Sequence, residues 1–142
     1  MPSKDNDSRR SGRVTFRRPR DTDGAAVWSL IRESKPLDEN SMYCNLIQCD
    51  HFRDTCVVAE QNGEIVGWVS GYVVPDDETK LFVWQVGVRD TFQGMGIAAG
   101  MLESILKRDD CAAVRFIETT IAPDNAASEA LFSRVAANFN AN

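Results

Sequence analysis

Apolar residues recur along this chain with two different periods. Val14 and Phe16 alternate with polar neighbours and predict a first strand, stopped at Pro19. Val27, Trp28 and Ile31 recur at helical spacing behind the capping residues Asp21, Thr22 and Asp23, which predicts a helix over 22–34. Pro36 breaks it, residues 36–41 read as a polar loop, and a second helix is expected over about 42–52. Cys56–Ala59 reads as an apolar strand. Asn62-Gly63 follows as a tight-hairpin pair, because both positions accept positive φ. Ile65–Val74 is the returning strand, Pro75-Asp76-Asp77 a second turn, and Leu81–Val88 a further strand, which together predict an antiparallel meander.

After Val88 the period changes. Gly94 and Gly96 lead into Ile97, Met101, Leu102, Ile105 and Leu106, which share one helical face ended by Asp109-Asp110. Val114–Ile121 reads as a strand, parallel to 81–88 if the helix is a crossover. Pro123-Asp124-Asn125 caps a last helix over about 125–136. Residues 1–12, polar and charged, read as a disordered tail, leaving 13–142 as one domain of the α/β (α+β) class.

A strand, a glycine-rich turn and a helix make a place for an anion. The first amides of a helix lack intrahelical acceptors and carry partial positive charge, and glycines let a phosphate approach the backbone. Two glycines alone equally suit a tight turn that packs a helix on a strand. The loop lacks the Gly-Lys-Ser/Thr of a Walker A sequence, and the meander before it argues against a dinucleotide-binding βαβ unit.

Composition narrows the classes. The chain has 142 residues, 43% apolar and 26% charged, enough for one sizeable core. A net charge of −5 argues against a nucleic-acid partner, and the cluster Arg9, Arg10, Arg13, Arg17, Arg18 and Arg20 reads as a solvated tail and strand face. No stretch has the length of a membrane span and the start has no signal-peptide core, so the expected location is the cytoplasm. The four cysteines (44, 49, 56, 111) show no CxxC spacing and His51 is the single histidine, so no metal is expected. A lone histidine in a helical stretch reads as structural.

The run Val88-Arg89-Asp90-Thr91-Phe92-Gln93-Gly94-Met95-Gly96-Ile97-Ala98 resembles the core motif of the GNAT superfamily of acetyltransferases, Gln/Arg-x-x-Gly-x-Gly/Ala after a valine-ending strand. Gln93, Gly96 and Ala98 fill its three defining places, and the order of elements over 14–136 is similar to that fold: a mixed, mostly antiparallel sheet flanked by helices. The resemblance implies acetyl-CoA as cosubstrate. It assigns the pyrophosphate to the amides of Gln93, Gly94, Met95, Gly96, Ile97 and Ala98, the pantetheine arm to the strand edge at Val86 and Val88, and a further CoA contact to Asn125.

A second set of residues bears on the acceptor. Pro36–Leu46, Cys49–Phe52, Thr55–Ala59, Phe82–Val88 and Ile121–Asn125 resemble the diaminobutyrate acetyltransferases, a GNAT subfamily that serves synthesis of the compatible solute ectoine. That likeness implies transfer of acetyl to the 4-amino group of L-2,4-diaminobutyrate. The residue chemistry suits it: Asp38 for an ammonium group, Asn40 and Ser41 for the carboxylate or α-amine, Tyr43 to orient the reacting amine or relay its proton, and Trp84 as a flat wall with cation–π reach. Asp38 and Tyr43 are the catalytic candidates. Helix capping by Asp38 and Ser41, and core packing by Tyr43 and Trp84, remain open alternatives.

The chain departs from the family pattern twice. Phe132 stands where many GNAT enzymes place a tyrosine that protonates the leaving thiolate. The family also continues past the last helix with further strands, so the resemblance implies that these are missing and that a homodimer partner covers the exposed sheet. Two other readings stay open: a GNAT enzyme for a different small amine or a protein lysine, and a non-catalytic acyl-CoA-binding module. A DNA- or membrane-binding role has no support in the sequence.

Overall fold

The valine-rich segment Val57–Ala59 is inaccessible to solvent on both of its faces, so layers of helix must cover the sheet on each side. The computed structural model describes residues 13–33, 42–119, 131–133 and 135, and shows that arrangement. The elements are β1 (Thr15–Arg17), α1 (Gly24–Glu33), α2 (Met42–Asp50), β2 (Val57–Gln61), β3 (Glu64–Val74), β4 (Asp77–Val88), α3 (Ile97–Leu106) and β5 (Phe116–Thr119). The strands form one sheet in the order β1-β2-β3-β4-β5. All neighbours are antiparallel except β4 and β5, which run parallel because α3 carries the chain across the sheet between them.

The two faces have separate cores. Val27, Leu30 and Ile31 of α1 and Cys49 of α2 pack with Val58, Ile65 and Trp68 on one face. Ile97, Ala99, Met101, Leu102 and Ile105 of α3 pack with Val57, Ala59, Val69, Leu81, Val83 and Val135 on the other. Burying a side chain of this size contributes about 1.5–3 kcal/mol. Tertiary burial, rather than helix propensity, therefore holds ten-residue helices in place.

Asn62 and Gly63 adopt φ of 53° and 79°, the left-handed pair expected of this hairpin. Several boundaries differ from the sequence expectation. β4 begins at Asp77, four residues before Leu81, because the polar run Asp77–Lys80 pairs with Val74 on one side and Phe116 on the other. α1 begins at Gly24, behind a 3-10 turn at Asp21–Asp23. α3 ends at Leu106, and Asp109–Cys111 forms a separate 3-10 turn. β5 begins two residues late, since the Val114 amide closes that turn on the Cys111 carbonyl at 3.0 Å. Of the expected last helix, residues 131–133 and 135 are described and are helical. The tail over 1–12 lies outside the described residues.

The basic cluster is more organised than a solvated face. The Arg17 guanidinium bonds both oxygens of Asp23, at 2.8 and 3.2 Å, and Glu60 at 2.9 Å, tying β1 to β2 and to the start of α1. Arg18 bridges Asp54 and Asp110, at 3.1 and 2.9 Å. Burial alone would raise the Asp23 carboxyl, but the Arg17 bonds and the Arg20 amide more than offset it, and the group lies below its ordinary value.

Candidate functional site

The site is built on the second half of β4. β4 pairs with β5 from Lys80 to Val83 among the described residues, the next residues after Thr119 lying outside them, while its other edge stays paired with β3 as far as Val88. Just after Val83 the ladder with β3 skips one residue: Ser70 faces Gln85 and Gly71 faces Val83, so Trp84 is the extra residue of a β-bulge.

This half of β4 has a defined polarity. The Arg89 amide donates to the Val66 carbonyl at 2.8 Å. Inward and outward groups alternate along an antiparallel ladder, so Gly87 also faces β3, while Val86 and Val88 direct their N–H and C=O away from β3. In keeping with that, the Val88 carbonyl accepts from Gln93 Nε2 at 3.3 Å. Gln93 also donates to Asp90 Oδ1 at 3.3 Å, which holds the loop against the strand end.

Phe92, 4% exposed, anchors the loop below, and Ile97 and Ala99 anchor the helix beyond it. Between these anchors Gln93, Gly94, Met95 and Gly96 are exposed. Gly94 and Gly96 take φ of 80° and 76°, and Gly96 is the N-cap of α3 with no side chain bonded to it. The first helical bond is Gly100 N–H to Gly96 C=O at 3.0 Å. The amides of Ile97, Ala98 and Ala99 therefore have no acceptor within the helix. No Lys or Arg lies between Arg89 and Lys107, and Arg89 is engaged with Glu64 at 3.1 Å and Glu33 at 3.8 Å. An anion here would be held by backbone dipoles rather than by side-chain charge.

A cavity of about 420 Å³ lies beside the loop, between the β2–β3 hairpin and Asp90–Phe92. Its rim carries Glu33, Glu64 and Asp90 against the already paired Arg89, a balance that repels phosphate.

Around Trp84 the structure places a group of rings. Tyr72 meets Trp84 edge-on, with centroids 6.0 Å apart, and also contacts Phe82 at 5.3 Å and Phe52 at 6.2 Å. Trp84 is 42% exposed, so it is not an ordinary core residue. Tyr43 stands on the first turn of α2 and is 72% exposed. Among the described residues it joins no ring contact, so it is not a core aromatic either. Asp38, Asn40, Ser41 and Asn125 lie outside the described residues. Phe132 is half-buried and packs against the α3-side core.

The remaining candidates are quiet. His51 is exposed at the end of α2, 3.9 Å from Asp50. Cys49, Cys56 and Cys111 are buried, and none of the four cysteines is in a disulfide. Burial pushes the Cys49 and Cys56 thiols up to about 12, which keeps them protonated and poorly nucleophilic. No group of three or more His, Cys, Asp or Glu among the described residues could hold a metal ion, and no described helix is long and apolar enough to cross a membrane.

Three features escaped the sequence reading: the bulge at Trp84, the ring group around Tyr72, and the Arg17–Asp23–Glu60 clamp. The bulge has no composition signal. The ring group follows from the Tyr72–Phe82 register, which a second shift of the ladder between Val73 and Val74 sets.

Comparison with known proteins agrees with this geometry. The Acetyltransferase (GNAT) family matches residues 24–136. An L-2,4-diaminobutyric acid acetyltransferase from Vibrio parahaemolyticus is 46% identical over 120 residues, 84% of this chain and 66% of that protein. The chain spans about two thirds of the length of the curated relatives it matches. A crystal structure of diaminobutyrate acetyltransferase EctA from Paenibacillus lautus, in complex with L-2,4-diaminobutyric acid and coenzyme A, superposes with a TM-score of 0.87 at 44% identity, covering 90% of this chain and 77% of that one. Ard1 from Thermoplasma volcanium shares the fold, with a TM-score of 0.74 at 16% identity over 85% of this chain and 80% of that one. With that family matched over residues 24–136 and relatives 40% and 46% identical across most of its length, the chain belongs to the GNAT acetyltransferase family.

Proposed function

We propose that this chain transfers the acetyl group of acetyl-CoA to the 4-amino group of L-2,4-diaminobutyrate, giving N4-acetyl-diaminobutyrate for ectoine synthesis. The observation that carries the reading is the 44% identity, across 90% of the chain, to an enzyme seen with both diaminobutyrate and coenzyme A. In this reading the loop Gln93–Ala98 takes the pyrophosphate, and the Val86–Val88 edge of β4 hydrogen-bonds the pantetheine arm as a strand would. Asn125 adds a contact from the last helix. Asp38, Asn40, Ser41 and Tyr43 hold the acceptor from one side and Trp84 walls it from the other.

The chemistry sets the remaining tasks. An alkylamine has a pKa of about 10 and arrives as an ammonium group. It must lose one proton before its lone pair attacks the thioester carbonyl. Asp38 or Tyr43, directly or through water, takes that proton, and desolvation in the cleft lowers the amine's pKa. Attack forms the C–N bond and a tetrahedral oxyanion, which outward-facing amides of β4 near Val86 stabilise. Collapse breaks the C–S bond and expels the CoA thiolate. Phe132 has no proton to give that thiolate, so Tyr43 or water supplies it. The buried, protonated cysteines fit direct transfer without an acetyl-enzyme. A cytoplasmic homodimer completes the reading, the small hydrophilic substrates supporting the location.

The test is thiol release from acetyl-CoA by the full chain with L-2,4-diaminobutyrate, with the product's acetylated nitrogen assigned by NMR. Absence of CoA release would sink the enzymatic reading. CoA binding without any release would instead establish a non-catalytic acyl-CoA-binding module, the alternative that Phe132 favours.

A further inference from the structure

Four aromatic rings gather on the sheet face that carries α1 and α2, and one of them touches the other three. Tyr72 of β3 is the register partner of Phe82 of β4, with ring centroids 5.3 Å apart. It meets Trp84 at 6.0 Å with the ring planes at 86°. Phe52, just beyond α2, reaches Tyr72 at 6.2 Å. Among the described residues no other ring contacts Trp84. Trp84 also sits at the bulge, where the ladder gives its backbone no partner residue on β3, and its side chain is 42% exposed. Tyr72 is thus the one described ring that bears on its orientation.

We infer that Tyr72 is a positioning residue that sets the Trp84 indole, and through it the specificity of the cleft for a short cationic amine. The inference rests on the reading of Trp84 as part of the acceptor wall. An indole recognises an ammonium group only when its face stands over the cation within about 6 Å, so a rotated ring loses recognition although the residue is still present. A perpendicular ring pair shifts such an orientation by roughly threefold to tenfold. Phe52 extends the arrangement by joining the end of α2 to the same wall, so that helix and sheet are fixed to one another beside the acceptor.

The experiment is a mutant cycle on the full chain, with Michaelis constants measured separately for diaminobutyrate and acetyl-CoA. Tyr72→Leu is expected to raise the diaminobutyrate KM about threefold to tenfold and to leave the acetyl-CoA KM within about twofold. Tyr72→Phe, which keeps the ring, is expected to match the parent. In a Trp84→Leu background, Tyr72→Leu is expected to add nothing further, because positioning acts only through the indole. Should Tyr72→Leu not fold, Tyr72→Met, of similar volume and more adaptable, takes its place. Independent, multiplicative effects of the two substitutions would overturn the positioning role while leaving Trp84 in the acceptor wall. An unchanged diaminobutyrate KM in Trp84→Leu would overturn the acceptor-wall reading itself, and this inference with it.

Discussion

Gly63 and Gly94 form a natural matched pair for testing the anion loop. Their φ values are 79° and 80°, and a Cβ built on either meets nothing within 4 Å. Alanine at each therefore incurs the same cost, the left-handed conformation, worth about 1–2 kcal/mol. Loss of unfolded-state entropy returns about 0.4–1 kcal/mol of that. The expected net destabilisation is about 1 kcal/mol for both variants, a fall in Tm of about 3 °C for a domain of this size. The two differ in what occupies the open space. At Gly63 it is solvent beyond a hairpin. At Gly94 it is where a pyrophosphate would lie against the backbone, so a methyl group removes one or two charge-assisted hydrogen bonds, each worth about 1.5–3 kcal/mol. Gly94→Ala should thus weaken acetyl-CoA binding by roughly tenfold to ten-thousandfold, while Gly63→Ala leaves it unchanged. Isothermal titration with CoA, alongside thermal melts of both variants, reads the two quantities separately. Equal CoA affinity in the two variants would refute the loop assignment. A much larger Tm loss in Gly94→Ala would show that the loop is held by contacts other than the ligand's.

Three further outcomes follow from the packing. Asp23→Asn should destabilise the fold by about 1–3 kcal/mol, since it leaves the half-buried Arg17 with Glu60 alone. Because the folded Asp23 carboxyl lies below its ordinary value, its contribution is present at neutral pH and is lost as pH falls below about 4. Urea melts of parent and variant should therefore converge in acid, and a constant difference down to pH 3 would refute the clamp. Gly71→Ala places a Cβ 2.7 Å from the Phe82 carbonyl oxygen, so the bulge beside Trp84 must shift; a loss above about 2 kcal/mol is expected by chemical denaturation, and a neutral result would mean the bulge is soft. N-ethylmaleimide should label the native chain at the half-exposed Cys44 and spare the buried Cys49, Cys56 and Cys111, as read by peptide mass spectrometry; rapid labelling of Cys56 would contradict its burial.

Those predictions divide by how far each feature could be read from sequence. The hairpin at Asn62-Gly63 and the α3 face from Ile97 to Leu106 were legible because the turn chemistry and the periodicity are local. The loop at Gln93–Ala98 was legible for a similar reason: its glycines, its missing lysine and its place between strand and helix all lie within a dozen residues. α2 was harder to delimit because its burial inverts the usual pattern. Asn45 and Gln48 are buried and bonded to each other at 2.9 Å, while Tyr43 and Leu46 are exposed. The start of β4 was lost because Asp77–Lys80 look like a turn by composition, and only the partners on both sides make them strand. The register of β3 on β4 has no local signal either, because it shifts between Ser70 and Gly71 and again between Val73 and Val74, and the meeting of Tyr72, Phe82 and Trp84 depends on it. Arg17 illustrates the same limit, since its partner Glu60 lies 43 residues away and no local rule pairs them.

The alternation of amide direction along β4 has a consequence for evolution as well as for binding. Only every second residue of this half of β4 turns its backbone away from β3, and the rise per residue is about 3.3–3.4 Å. In the proposed reading the strand then works as a measuring stick, converting the fixed length of the cofactor's arm into a fixed position for its reactive carbon beside Trp84. Side chains on this segment can vary as packing permits, because the measurement is made by the main chain. Its length cannot vary. Losing a single residue between Gln85 and Val88 would turn the outward amides inward and misplace the carbon by one step, even in a protein that still folded. The least variable property of such a site is a count of residues, which any inventory of its side chains overlooks.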